Sequence, residues 1–135
     1  MTMASGMHAF LAQDRVIWGT PAAEAAAAEA ARRGAERIFI VASRTLHRQT
    51  DAIARIRAAL GEHCVGVFDD CVEHTPRESV MAATEAARAA RPDLVLTIGG
   101  GTAIDTVKVM LIALAHDVRD AAGLGDLHLR ANADG

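Results

Sequence analysis

The chain has 135 residues, with 14 basic and 17 acidic side chains for a formal net charge of −3; 51% of it is hydrophobic and only 3% aromatic. A single domain of this length buries a sizeable core, here built from Ala, Val, Ile and Leu rather than from rings, a composition suited to layered α/β packing. A mildly acidic balance without a basic block or interleaved aromatics excludes nucleic acid as the expected partner.

The first residues, "MTMASGMHAFLA", show no basic region ahead of their short apolar patch, so no signal peptide is predicted. "MHAFLA" and "RVIWG" flank the polar pair "QD", the pattern of a small β-hairpin. "PAAEAAAAEAARR" (21–33) predicts a helix, with Pro21 in its first turn and Gly34 as its stop. "RIFIVAS" (37–43) is a continuous apolar run of strand length. "LHRQTDAIARIRAAL" (46–60) predicts one helix ending at Gly61. There follow "CVGVFD" as strand, "PRESVMAATEAARAA" as a helix opened by Pro76, "DLVLTI" as strand and "AIDTVKVMLIALAH" (103–116) as helix. The longest apolar run, "VMLIALA", is too short to cross a bilayer, so no membrane association is expected. Cys64 and Cys71 have no CxxC spacing, which predicts reduced thiols in a cytoplasmic protein.

Strand and helix therefore alternate three times after the hairpin. The strands are unbroken apolar runs, as in strands covered by helices on both faces. That alternation with short connections predicts a parallel sheet of right-handed crossover units, an α/β fold.

In this plan "GGG" follows the last strand directly and precedes a helix, at the carboxyl end where open α/β sheets bind ligands. Gly99, Gly100 and Gly101 leave backbone N–H groups open to a phosphate, and the helix N-terminus adds partial positive charge. Thr102 is the expected N-cap, with Asp105 completing a capping box. Two readings fit the residues: an anion-binding turn, or a tight connection with a cap. The motif is neither GxGxxG nor a P-loop.

"IGGGTAIDTVK" closely resembles the GGGSxxDxAK signature of the iron-containing (group III) alcohol dehydrogenases, and the similarity runs along nearly the whole chain. "RVIWGTPAAEA" resembles that family's opening segment, "GAERIFIVAS" its first dinucleotide-domain strand, and "VGVFDDCVEHTP" the strand and loop before the next helix. The His-x-Pro in that loop is especially similar to maleylacetate reductases. The resemblance implies a Rossmann-like three-layer αβα domain of the dehydroquinate synthase-like superfamily, with a mostly parallel sheet and an N-terminal hairpin. The Asp-x-x-Lys after "GGGT" favours the alcohol dehydrogenase branch over dehydroquinate synthase and glycerol-1-phosphate dehydrogenase.

The same resemblance implies that Gly99, Gly100, Gly101 and Thr102 hold the pyrophosphate of NAD or NADP, while the signature's Asp and Lys fall on Asp105 and Lys108. Two departures bear on the cofactor. Where many relatives have a ribose-binding Asp after the first strand, this chain has Ser43 and Arg44, which removes repulsion toward a 2′-phosphate and adds a cation. In "WGTPAAEA" the second glycine of the usual pattern is missing; Gly19 would still approach the nicotinamide side, but Pro21 lacks an N–H. A helix start explains that segment equally well.

The six histidines, His8, His47, His63, His74, His116 and His128, form no HExxH and no spaced ligand set, so no metal site is expected in this chain. His74 matches a loop residue beside the family's cofactor; a turn role fits it as well. In the resembled family an Asp and three His from a helical C-terminal domain hold iron or another divalent metal. Residues 1–135 are thus expected to be the NAD(P)-binding N-terminal domain, cut after "NADG", without that domain. The expected function is nucleotide binding within an oxidoreductase that moves hydride between nicotinamide and a small alcohol or carbonyl substrate, acting as a homo-oligomer, a dimer; the isolated chain is expected to be inactive. The alternatives are a maleylacetate reductase-like enzyme and, if the 135 residues act alone, a non-catalytic nucleotide-binding or dimerising module. Phosphoryl chemistry on a flavodoxin-like fold is disfavoured, since no acidic cluster follows the first strand.

Overall fold

The computed structural model describes residues 4–8 and 13–126. Residues 9–12 of the predicted hairpin and the tail from Leu127, with His128, lie outside the described residues.

Strands β1 (Gly6–His8) and β2 (Val16–Trp18) pair antiparallel, Met7 opposite Ile17, as the hairpin pattern predicts. Helix α1 (Ala22–Arg32) starts after Pro21, which needs no N–H at that position. Then come β3 (Ile38–Ala42), α2 (Arg44–Gln49), α3 (Ala52–Leu60), β4 (Cys64–Phe68), α4 (Arg77–Ala90), β5 (Leu94–Ile98) and α5 (Gly101–Ala115), with a further helical turn at 121–126.

The single helix expected over 46–60 is two helices. Thr50 is extended (φ −135°, ψ 170°), its hydroxyl donates to the Leu46 carbonyl (2.5 Å), and it accepts from the Ala52 N–H (3.2 Å). A threonine that satisfies backbone groups on both sides of a break competes with the helix ladder. The first piece also begins two residues earlier than predicted, which makes Ser43 its N-cap.

β3, β4 and β5 form a parallel sheet in the order β4-β3-β5. Because side chains alternate across a strand, β3 feeds two cores. Ile38, Ile40 and Ala42 pack on Ile53, Ile56 and Leu60 of α3 and Ala30 of α1. Phe39 and Val41 face Ala83 and Ala87 of α4 and Val107 and Met110 of α5. This is the three-layer αβα arrangement, and each fully buried aliphatic side chain in it contributes about 2 kcal/mol. Among the described residues, cover on both faces is complete only for β3; β4 and β5 lie at the edges of this three-stranded sheet and are half-buried.

The amino ends of the strands are stitched together. Asp93 accepts from the N–H groups of Glu36 (2.9 Å) and Arg37 (3.0 Å), and those two bonds hold its carboxyl below the usual range. The Arg37 guanidinium donates to the Ala90 and Arg91 carbonyls at the end of α4, where a cation suits the helix dipole. The opposite, carboxyl ends are left to hold the site.

Candidate functional site

At the carboxyl ends, the Ser43 N–H donates to the Ile98 carbonyl (2.8 Å), which draws the residues after β3 against those after β5. Gly99 sits at that junction with φ 143°, and a Cβ there would lie 2.9 Å from the Ser43 Cβ. The first glycine is therefore required by the fold itself. Gly100 and Gly101 are different: a Cβ on either would meet nothing within 4 Å. Their bareness opens the main chain outward, toward whatever enters from solvent.

The helix start corrects one expectation. Gly100, extended at φ −97° and ψ −158°, is the N-cap, so Thr102 lies inside the first turn and the predicted Thr102–Asp105 capping box does not form. The extended glycine lets helical geometry begin two residues sooner than predicted. Thr102 instead offers its carbonyl to the Thr106 hydroxyl (2.8 Å). The first helical bond runs from the Ile104 N–H to the Gly100 carbonyl (3.2 Å), and no side chain caps the end. The N–H groups of Gly101, Thr102 and Ala103 precede that bond and point along the helix axis with no acidic residue in the first turn. Such a row of donors favours an anion.

These donors border a cleft of about 260 Å³ lined by Ser43, Arg44, Thr45, Cys71, Glu73 and the segment 100–103. The structure thus brings Gly100, Gly101, Thr102, Ser43 and Arg44 together, with Gly99 as the hinge between the two strand ends. A larger groove, about 540 Å³, runs along β5 and α1 with mainly aliphatic walls; it lacks the converging donors. Asp105 and Lys108 are exposed further along α5. His74 is in the tight turn after β4, with φ 65° and Thr75 at φ 48°, and the cleft wall reaches its neighbour Glu73. Gly19 is not in this cleft. Its φ of 79° and the 2.5 Å from an added Cβ to the Ala4 carbonyl oxygen give it a role in hairpin packing.

The sequence reading missed Asp69 and Asp70, which directly follow β4. Asp69 accepts from Arg48 Nε (2.9 Å) and Nη2 (3.2 Å) and meets His47 Nδ1 (2.9 Å), while Asp70 pairs with Arg44. The signal was the "DD" dipeptide at a strand end, meaningful once β4 is known to lie beside β3. Burial pushes the Cys71 thiol up, which the Thr106 hydroxyl partly offsets, so at neutral pH it adds no negative charge to the cleft.

The Arg48 guanidinium, and after it His47, hold Asp69 down at about 2 from an ordinary value of 3.8. Since the folded chain binds this proton less readily than the unfolded one, the contribution is complete above pH 4 and is lost as pH falls through 2. Asp69 is 15% exposed but Arg48 58%, so screening reduces the worth of the clamp to about 1 kcal/mol. Asp69→Asn is expected to lower unfolding free energy by about that amount at pH 7. The gap should close near pH 2; urea melts at both pH values would expose a clamp of no consequence as equal curves throughout.

The sequence model of the family described as iron-containing alcohol dehydrogenase matches residues 13–133. Dehydrogenase FUM7 of Gibberella moniliformis is 36% identical over 104 residues, 76% of this chain and 24% of that protein. Maleylacetate reductase 2 of Cupriavidus pinatubonensis is 36% identical over 108 residues, 80% of this chain and 29% of that protein. The crystal structure of maleylacetate reductase from Rhizobium sp. strain MTP-10005 superposes with a TM-score of 0.59 at 35% identity, covering 76% of this chain and 27% of that one. The chain spans about a quarter of the length of these relatives. Among the described residues no group of three or more His, Cys, Asp or Glu is placed to hold a metal, and no helix is long and apolar enough to cross a membrane.

Proposed function

Since this chain belongs to the iron-containing alcohol dehydrogenase family, we propose that it is the NAD(P)-binding part of an oxidoreductase acting on a small alcohol or carbonyl compound. The observation that carries this reading is the uncapped start of α5: three outward N–H groups beside two glycines whose missing side chains the fold does not require. Gly100, Gly101 and Thr102 hold the pyrophosphate, with Gly99 keeping the turn against Ser43. Ser43 and Arg44 face the adenosine ribose, one strand over. Asp105, His74 and Gly19 belong to the proposed cofactor surroundings on the resemblance alone. Bound nicotinamide dinucleotide supplies the hydride, and the protein's part is to bind and orient it.

Residues 1–135 are read as the nucleotide domain, with iron or another divalent metal held elsewhere in the intact enzyme. A maleylacetate reductase-like activity is the second reading, favoured by the relatives of that name and by the "HTP" turn. The exposed apolar stripe of α5, with Ile104 at 42%, Leu111 at 46% and Ile112 at 48%, favours association of chains.

The test is a calorimetric titration of the 135-residue chain with NADH and NADPH, a metal-supplemented turnover assay, and size-exclusion chromatography. Dinucleotide binding without turnover, by an associated species, is expected. A folded chain that binds neither dinucleotide overturns the reading, and brisk turnover by a monomer overturns the placing of the chemistry outside these residues.

A further inference from the structure

Two carboxylates end β4, and two arginines one turn apart on α2 meet them. Asp69 takes Arg48; Asp70 takes Arg44. Asp70 is fixed from behind, because its carbonyl accepts from the hydroxyl of Ser79, a nearly buried residue in the first turn of α4 (3.2 Å). Arg44, in turn, follows Ser43 directly and lines the same cleft as the bare N–H groups of α5. The cation nearest the strand end, which the sequence offers to a 2′-phosphate, is therefore already engaged by an anion.

We propose that Asp70 determines dinucleotide specificity: by holding the Arg44 guanidinium at the cleft wall, it disfavours a 2′-phosphate and biases the site toward NAD(H). This rests on the reading of the cleft as a dinucleotide site. A 2′-phosphate beside Arg44 must take the guanidinium from Asp70 and then sit near a displaced carboxylate, and like charges so placed are costly. A ribose with its 2′-hydroxyl intact brings no charge and leaves the Arg44–Asp70 pair undisturbed. Asp70, delivered from β4, supplies the charge that Ser43 withholds at the end of β3. Glu73, on the same wall, adds to the negative field but has no ion pair with Arg44 in the structure.

Asp70 acts through Arg44, so the test is a double-mutant cycle read as the ratio of dissociation constants for NADPH and NADH. Titrations compare the unmodified chain with Asp70→Asn, Arg44→Ala and the double variant. Asp70 is 61% exposed, so the isosteric amide leaves the fold intact, which circular dichroism verifies. Asp70→Asn is expected to tighten NADPH about fivefold and change NADH by less than about twofold, with the gain absent in the Arg44→Ala background. A ratio that does not move, with both dinucleotides bound, overturns the inference, as does an equal gain without Arg44. A folded chain that binds neither dinucleotide gives a different result: the cleft reading falls, and this inference with it.

Discussion

Gly100→Val is expected to weaken NADH and NADPH binding about a hundredfold while the domain stays folded. Gly100 lines the cleft, and a Cβ there would meet no protein atom within 4 Å, so the valine side chain is expected to extend into the space that an approaching phosphate needs. Hydrogen bonds from backbone N–H groups to a charged phosphate each contribute about 1.5–3 kcal/mol, and losing one or two accounts for the factor. The backbone at φ −97° and ψ −158° is extended with a negative φ, so it does not demand glycine as the positive φ of Gly99 does. Valine is a poorer N-cap than glycine, a cost of about 1 kcal/mol that moves the thermal midpoint only a few degrees. Gly99→Ala is the contrasting variant. There φ is 143° and the new Cβ would sit 2.9 Å from that of Ser43, so stability falls by about 2 kcal/mol or more. Titration and thermal melts on both variants separate the two glycines, and a folded Gly100→Val chain with unaltered affinity removes the turn from the site.

Why the glycine turn was legible and its neighbours were not is a matter of range. Apolar runs of strand length, alternating with alanine-rich helices, are local patterns, and the strands Ile38–Ala42, Cys64–Phe68 and Leu94–Ile98 lie within those runs. The position of "GGG" after the last of them follows from chain order alone. The break at Thr50 was not legible, because helical spacing persists across it and the competing interaction is one hydroxyl between Leu46 and Ala52. Nor was the true N-cap of α5: Thr102 has the right chemistry, but the cap is set by the conformation of Gly100. The pairing of Arg44 with Asp70, 26 residues away, depends on β4 lying next to β3, and periodicity does not specify which edge a strand takes. Local chemistry thus marked the glycine turn, and only topology revealed that Arg44 beside it is already paired with Asp70.

Ser43→Asp is expected to shift the ratio of NADPH to NADH dissociation constants at least tenfold toward NADH. Ser43 caps α2 by accepting from the Leu46 N–H (3.4 Å), and aspartate is an equally good cap whose charge suits a helix N-terminus. The fold is therefore expected to tolerate the change. The carboxylate would stand at the end of β3 beside the glycine turn, where it accepts from ribose hydroxyls. It would also compete with Asp70 for the guanidinium of Arg44 and repel a 2′-phosphate. Like-charge contacts in a cleft cost several kcal/mol, more than an exposed ion pair returns, so repulsion dominates the change. Because the effect is electrostatic, it should shrink as ionic strength rises from about 0.01 to 1 M and the Debye length falls from about 30 to 3 Å. Titrations with both dinucleotides across that range are the measurement. A salt-independent ratio equal to that of the unmodified chain would place the adenosine ribose away from Ser43, and with it the direction in which the dinucleotide crosses the sheet.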